Sequence, residues 1–151
     1  MSHHEFILVD ARKFSLSDYG RFGGRSESEA IKLSDDFCHY IADSLEWIPT
    51  VNPAVADNRP GFGLNFYGPT AILPAGAKFA VGVFSGWANL LRWGPDRFDL
   101  TAGWEMPANE NEWQPRRFDV CRTETVNALQ AIADMALQVR QGSHFLLHFG
   151  L

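Results

Sequence analysis

Two histidines near the end of the chain, His144 and His148, have a residue type and spacing that could support acid–base or metal chemistry. The alternating pattern of residues 143–149 predicts a strand with both histidines on one face. Residues four apart on a strand lie about 13 Å from each other, at ~3.3 Å per residue, which is too far to bind one metal ion. A helix would bring the two rings onto adjacent turns, but Gly142 favours a helix end before this run. The sequence therefore predicts a strand and no metal site here.

Cys38 and His39 are adjacent and have the residue types of a nucleophile and a general base. Successive side chains on a helix point about 100° apart, so these two cannot form a hydrogen-bonded pair there. Cys38 falls among apolar positions, which predicts a buried core residue. Cys121 lies near two arginines, whose charge lowers the pKa of a thiol, but the sequence shows no base for it.

A glycine-rich stretch at residues 61–68 could form a phosphate-binding loop only if it led from a strand into a helix. It precedes a β-like run instead and lacks the Lys-Ser/Thr ending, so we predict a turn or bulge. The sequence contains no HExxH, GxSxG or EF-hand motif. It therefore predicts no catalytic residue, no cofactor and no metal ligand.

The element expected to position most charged residues is a helix over residues 26–48. Ser26 and Glu29 have the spacing of a capping box, and Pro49 ends the periodic pattern. Apolar residues share one arc of this helix at 100° per residue. The opposite arc is mainly acidic, and we take the following of its residues as candidate binding residues: Asp35, Asp36, His39, Asp43 and Glu46.

The remaining pattern predicts helices over residues 77–93 and 123–141, with a strand over 79–84 as the alternative for part of the first. Strands are predicted at 6–9, 98–104, 118–121 and 143–149, with short β-like runs at 64–67 and 70–73. Residues 49–61 and 107–117 are predicted loops. We expect one domain over residues 1–151, of α+β class, with two or three helices packed on a mainly antiparallel or mixed sheet of four to five strands. A small doubly wound α/β sheet is the alternative.

Composition narrows the kinds of partner. The 151 residues carry a formal net charge of −5, which argues against nucleic acid or an anionic membrane surface as the main partner. No apolar run reaches the length of a membrane span, and the first residues lack the pattern of a secretory signal. Two cysteines without a CxxC motif are typical of reduced thiols, so we expect a cytoplasmic protein. Residues 27–57 hold seven acidic residues and one lysine, while the rest of the chain is close to neutral.

The whole chain is small and acidic, contains 13% aromatic residues, has an α+β pattern and lacks catalytic motifs. In these general features it resembles the immunity proteins of bacterial polymorphic-toxin and contact-dependent inhibition systems. The resemblance implies a binding protein without enzyme activity that neutralises a cognate basic toxin domain by stoichiometric binding. The acidic residues named above would then contact the partner, and Trp113 would add an aromatic anchor.

The alternative is a small enzyme or ligand-binding domain. Its pocket would lie near the glycine-rich segment 61–68 and the C-terminal histidines, with aromatic side chains from Tyr67, Trp87 and Trp104.

Overall fold

A computed structural model describes residues 2–23 and 30–151 of the chain and shows an α+β fold. Six antiparallel strands form the main sheet, and two further strands form a separate hairpin. The strands are β1 (His3–Asp10), β2 (Ile31–Ser34), β3 (Pro49–Val51), β4 (Pro60–Phe62), β5 (Pro69–Ile72), β6 (Arg97–Glu105), β7 (Gln114–Cys121) and β8 (His144–Phe149). The main sheet has the order β2-β1-β8-β5-β3-β4, which confirms the predicted fold class with a larger sheet than expected.

Two long helices, α3 (Pro74–Leu91) and α4 (Arg122–Arg140), pack on one face of the main sheet. Both were predicted, and Gly142 follows α4 with a φ of 94°, the left-handed conformation that favours glycine. A short 3-10 helix, Leu16–Arg21, and its neighbours cover part of the other face. Strand alternation turns His4 and Phe6 of β1 towards the long helices and Ile7 towards the opposite face.

The predicted helix over residues 26–48 is wrong. Residues 31–34 form β2, and two short helices follow, α1 (Asp35–Tyr40) and α2 (Ala42–Leu45). Ser34 ends the strand and starts α1, because its Oγ accepts the backbone N–H of Phe37. The apolar positions are nevertheless buried, since Leu33 in the strand and Phe37 in the helix both face the same core. The proposed capping box of Ser26 and Glu29 lies outside the described residues.

Three loop or strand predictions also need correction. The predicted loop 49–61 contains β3 and the start of β4, and residues 64–67 form a turn instead of a strand. The predicted loop 107–117 ends at residue 113, and β7 begins at Gln114. Short strands of three residues carry too little periodic pattern to be recognised, and β7 begins with polar residues and a proline.

The hairpin of β6 and β7 stands apart from the main sheet. A bulge between Thr101 and Gly103 interrupts its register, and Gly103 takes a φ of 136° there. Towards the core, Phe118 of β7 packs edge-on against Tyr40 of α1, with ring centroids 6.0 Å apart. Within residues 2–23 and 30–151, no helix is both long enough and apolar enough to cross a membrane.

Candidate functional site

The most exposed apolar side chains of the hairpin lie at its far end. We use the name arm for β6, β7 and the residues 106–113 that connect them. Trp104 is 66% exposed, Trp113 is 63% exposed and Met106 is 48% exposed. Scattered exposed apolar residues are normal, but two tryptophans and a methionine within ten residues of one hairpin are typical of a binding surface.

The same end of the arm is acidic. Residues 104–113 contain Glu105, Glu110 and Glu112, which are all exposed, and no Lys or Arg. The side-chain amide of Gln114 donates to the Glu110 carboxylate, which ties the connecting residues to β7. The tip therefore combines aromatic side chains, which bury large areas on binding, with carboxylates that can pair with Arg or Lys of a partner.

An ion pair fixes the outer half of the arm to the rest of the molecule. The Arg116 guanidinium on β7 donates to Asp36 Oδ1 on α1 over 3.0 Å. Next to this pair, an open groove of about 450 Å³ lies between α1 and the arm. It is lined by His39 of α1 together with Ala102, Gly103, Trp104, Glu105 and Arg116 of the arm. The groove thus continues the surface of the acidic, aromatic tip towards α1.

Three of the six predicted binding residues lie at or beside the arm. Asp36 holds Arg116, His39 lines the groove, and Trp113 precedes β7. Asp43 and Glu46 lie farther along the chain on and after α2, and both are exposed.

Asp35 does not belong to an outward surface, because its Oδ1 lies 2.9 Å from Nε2 of buried His4. The single acidic helix face that the sequence predicted is therefore not formed. One of its carboxylates points inward and another pairs with the arm.

A buried chain of polar side chains starts at Asp35. His4 Nδ1 lies 2.7 Å from His148 Nε2, and His148 Nδ1 lies 3.4 Å from Thr70 Oγ1. Both histidines are fully buried, and Thr70 is nearly so. The backbone N–H of Asn65 donates to Thr70 Oγ1 over 2.8 Å and ends the chain. These contacts join α1, β1, β8 and β5, so they connect the α1 segment to the centre of the sheet.

Burial keeps this histidine pair neutral. Desolvation lowers the pKa of His148 to about 3, with a smaller contribution from nearby His4. Burial also lowers the pKa of His4, although the hydrogen bond and charge of Asp35 oppose that shift. The prediction that His148 lies on a strand is confirmed, and its side chain contacts His4 of β1.

We expect Asp35→Ala to destabilise the protein by about 2 kcal/mol. The substitution leaves the N–H of buried His4 without its charged acceptor, and hydrogen bonds to charged groups contribute ~1.5–3 kcal/mol. Asp43→Ala is the matched control, because Asp43 is an exposed acid on α2, and its removal should change stability by less than about 0.5 kcal/mol. Urea unfolding at pH 7 measures both. Equal effects of the two substitutions would show that Asp35 acts only through its charge.

The alternative ligand pocket near residues 61–68 is small. A cavity of about 220 Å³ borders residues 61–65, with Thr70 at its wall, whereas pockets for small molecules usually span ~300–1,000 Å³. Trp104 lies in the arm groove, and Trp87 donates its Nε1–H to Ser44 Oγ. The aromatic residues expected to line this pocket are therefore not gathered around it.

Sequence reasoning missed His4 and the arm tip for different reasons. His4 meets His148 only through the pairing of β1 with β8, and no local pattern signals a contact between residues so far apart. The tip did carry a signal, because three glutamates between two tryptophans are visible in the sequence. The acidic excess at residues 27–57 is larger and predicts a binding surface at a different place in the chain.

The prediction for Cys38 is confirmed. Its side chain is fully buried in the core, and burial raises the pKa of its thiol, so it is not a reactive nucleophile.

Comparison with protein-family models, with curated proteins and with solved structures finds no match, so the function of this chain has to be inferred from its own residues.

Proposed function

We propose that this chain is a cytoplasmic binding protein that neutralises a basic protein partner by covering the partner's working surface with its arm. The partner class we propose is a bacterial toxin domain, in the manner of the immunity proteins that the sequence resembles. Neutralisation is stoichiometric, so the chain itself needs no catalytic residue.

The observation that carries this proposal is the composition of the arm tip. Trp104, Met106 and Trp113 are exposed on the same short stretch as three glutamates, without a basic residue among them. Tryptophans are enriched among the few interface residues that dominate binding energy, each often contributing ~2 kcal/mol or more. Carboxylates beside such anchors match a partner rich in Arg and Lys and exclude an acidic one.

The groove beside the tip adds a concave region to the proposed binding surface. A partner side chain that enters between α1 and the arm would meet the Glu105 carboxylate and the rings of Trp104 and His39, beside an Arg116 guanidinium whose charge is paired with Asp36. A guanidinium fits these groups, because it pairs with carboxylates and stacks on aromatic faces. We therefore expect an arginine of the partner to occupy the groove.

The test uses the product of the reading frame next to the gene for this chain. Expression of that product alone should arrest growth of a bacterial host, and co-expression of this chain should restore it. The two purified proteins should form a complex of fixed stoichiometry, measured by light scattering and calorimetry. A product that arrests growth but is neither bound nor neutralised by this chain would contradict the proposal for that pair.

Salt dependence of the association rate provides a further prediction. Replacing Glu105, Glu110 and Glu112 with glutamine should slow association with the basic partner about tenfold at low ionic strength. At 0.5 M salt the Debye length is short, so the difference should nearly disappear. Stopped-flow mixing at both salt concentrations measures the effect.

A matched control removes the same amount of charge elsewhere. The substitutions Asp57→Asn, Glu124→Gln and Asp134→Asn change three exposed acids outside the arm. An equal loss of rate in this control would mean that net charge, and not the arm tip, steers the partner.

A further inference from the structure

We propose that Asp35, His4, His148 and Thr70 form a buried proton-binding site, and that uptake of one proton at His4 reverses the hydrogen bonds that join β1, β8 and β5 and so loosens the centre of the main sheet. The proposal stands on four side chains from four elements that contact one another in sequence. It does not depend on the function proposed above.

Before a proton is taken up, the hydrogen bonds of the site can point in only one direction. The Asp35 carboxylate only accepts, so His4 must carry its proton on Nε2 and accept at Nδ1. His148 must therefore donate from Nε2, which leaves its Nδ1 to accept from the Thr70 hydroxyl. Thr70 Oγ1 in turn accepts the backbone N–H of Asn65. Every donor in the chain has an acceptor when both rings are neutral.

An added proton breaks this arrangement. If His4 is protonated, both of its ring nitrogens donate, and His148 Nε2 must become an acceptor. His148 then carries its proton on Nδ1 and donates to Thr70, whose own hydroxyl proton loses its acceptor in the chain. One proton at His4 therefore reverses the direction of the contacts from His4 to Thr70 and leaves one buried donor without a partner, which is costly.

The surroundings offer little compensation for the added charge. The His4 ring stacks on His148 with centroids 5.0 Å apart and meets the edge of Phe66 at 4.8 Å. Phe6 of β1 packs on His148 at 5.0 Å. Among the residues that the structure describes, the titratable groups that act on the pair from outside it are Asp35 and His39, both from α1, and each histidine also acts on the other. Asp35 favours protonation of His4, whereas His39 opposes it.

The difference in proton binding between the folded and the unfolded state sets the direction in which pH changes stability. The unfolded chain binds protons at its histidines below about pH 6.5, whereas the buried pair resists protonation until lower pH. The unfolded state therefore binds more protons in this window, and stability is full above about pH 6.5 and falls as pH decreases. Each such histidine makes unfolding up to about tenfold more favourable per pH unit.

The contacts that should weaken first are those that join β1, β8 and β5. The hydrogen bond from His4 Nε2 to Asp35 of α1 is kept when His4 is protonated, whereas the contacts from His4 through His148 to Thr70 must reverse. Phe66 meets the edge of the His4 ring, and His39 of α1 packs on Phe66 with ring centroids 4.6 Å apart. The site thus links pH to the strand contacts at the centre of the main sheet.

The first experiment determines which ring nitrogens of the two histidines carry protons. Nitrogen-15 NMR of the histidine rings at pH 7 should show both His4 and His148 neutral and protonated on Nε2. On lowering the pH, the signals of His148 should shift before global unfolding, together with the backbone signals of β8 and of Thr70 in β5. A neutral His148 protonated on Nδ1 at pH 7, or a His4 already charged there, would overturn the proposal.

The second experiment compares urea unfolding of the wild type, His148→Gln and His144→Gln at pH 7 and pH 5. The wild-type unfolding constant should rise at least about tenfold between these pH values. His144→Gln, on the same strand face, should keep this dependence, whereas His148→Gln should reduce it because glutamine takes up no proton. A wild type without pH dependence, or equal loss in both variants, would contradict the proposal. If His148→Gln does not fold, the wild-type titration and the NMR measurement still test the proposal.

Discussion

Replacing Trp104 and Trp113 together with alanine is expected to weaken binding of the basic partner by at least about 100-fold. Each tryptophan is about two-thirds exposed in the free protein, so the change removes little packing and should leave the melting temperature nearly unchanged. On binding, each ring would bury ~150–250 Å², and truncation of such an anchor often costs ~2 kcal/mol or more. Calorimetric titration of the partner and a thermal melt of the free variant measure the two expectations.

The matched control uses the other exposed tryptophans. Trp47 is 65% exposed and Trp93 is 91% exposed, and both lie outside the arm. Replacing these two with alanine should leave affinity within about threefold of the wild type. If both double variants bind equally well, or if the control loses as much affinity as the arm variant, the partner does not bind through the arm.

Gly76→Ala is expected to destabilise the protein by about 2–3 kcal/mol. A Cβ added at Gly76, in the first turn of α3, would lie 2.0 Å from the carbonyl oxygen of Pro49 in β3. That contact is with backbone, so neither the helix nor the strand can move aside cheaply, and overpacking typically costs ~1–3 kcal/mol. Helix propensity alone would predict the opposite sign, because alanine favours a helix over glycine by ~1 kcal/mol. Urea unfolding distinguishes the two effects by their sign.

Gly82→Ala, in the same helix, is the control for this prediction. Nothing lies within 4 Å of a Cβ added at Gly82, and the position is exposed. The substitution should therefore stabilise the protein by up to about 1 kcal/mol. If Gly76→Ala is also stabilising, then α3 does not pack as closely on β3 as the structure shows.

Elements with long, regular patterns were predictable from the sequence. The helices α3 and α4 have enough turns for an apolar stripe to be recognised, and β6 alternates over its predicted part. Gly82 weakened the prediction of α3, but it lies on the exposed side, where a missing side chain costs propensity and no packing. The α+β class followed from the mixture of these elements.

The segment around α1 could not be predicted because strand and helix share its apolar positions. Leu33 suits a helix arc as well as a strand face, and only pairing of β2 with β1 decides in favour of the strand. The same limit applies to the buried histidines, since His4 and His148 meet through the pairing of β1 with β8. Such contacts depend on sheet order, which one sequence does not encode locally.

The placement of β8 between β1 and β5 has a consequence for folding during synthesis. This strand is the last in chain order, yet it lies inside the main sheet. Before residues 144–149 have been synthesised, β1 can pair with β2, β3 can pair with β4 and β5, and β6 can pair with β7, but β1 and β5 have no strand between them. Closure of the sheet must wait for residues 144–149, so we expect folding to be slow, as is typical of folds dominated by long-range strand pairing.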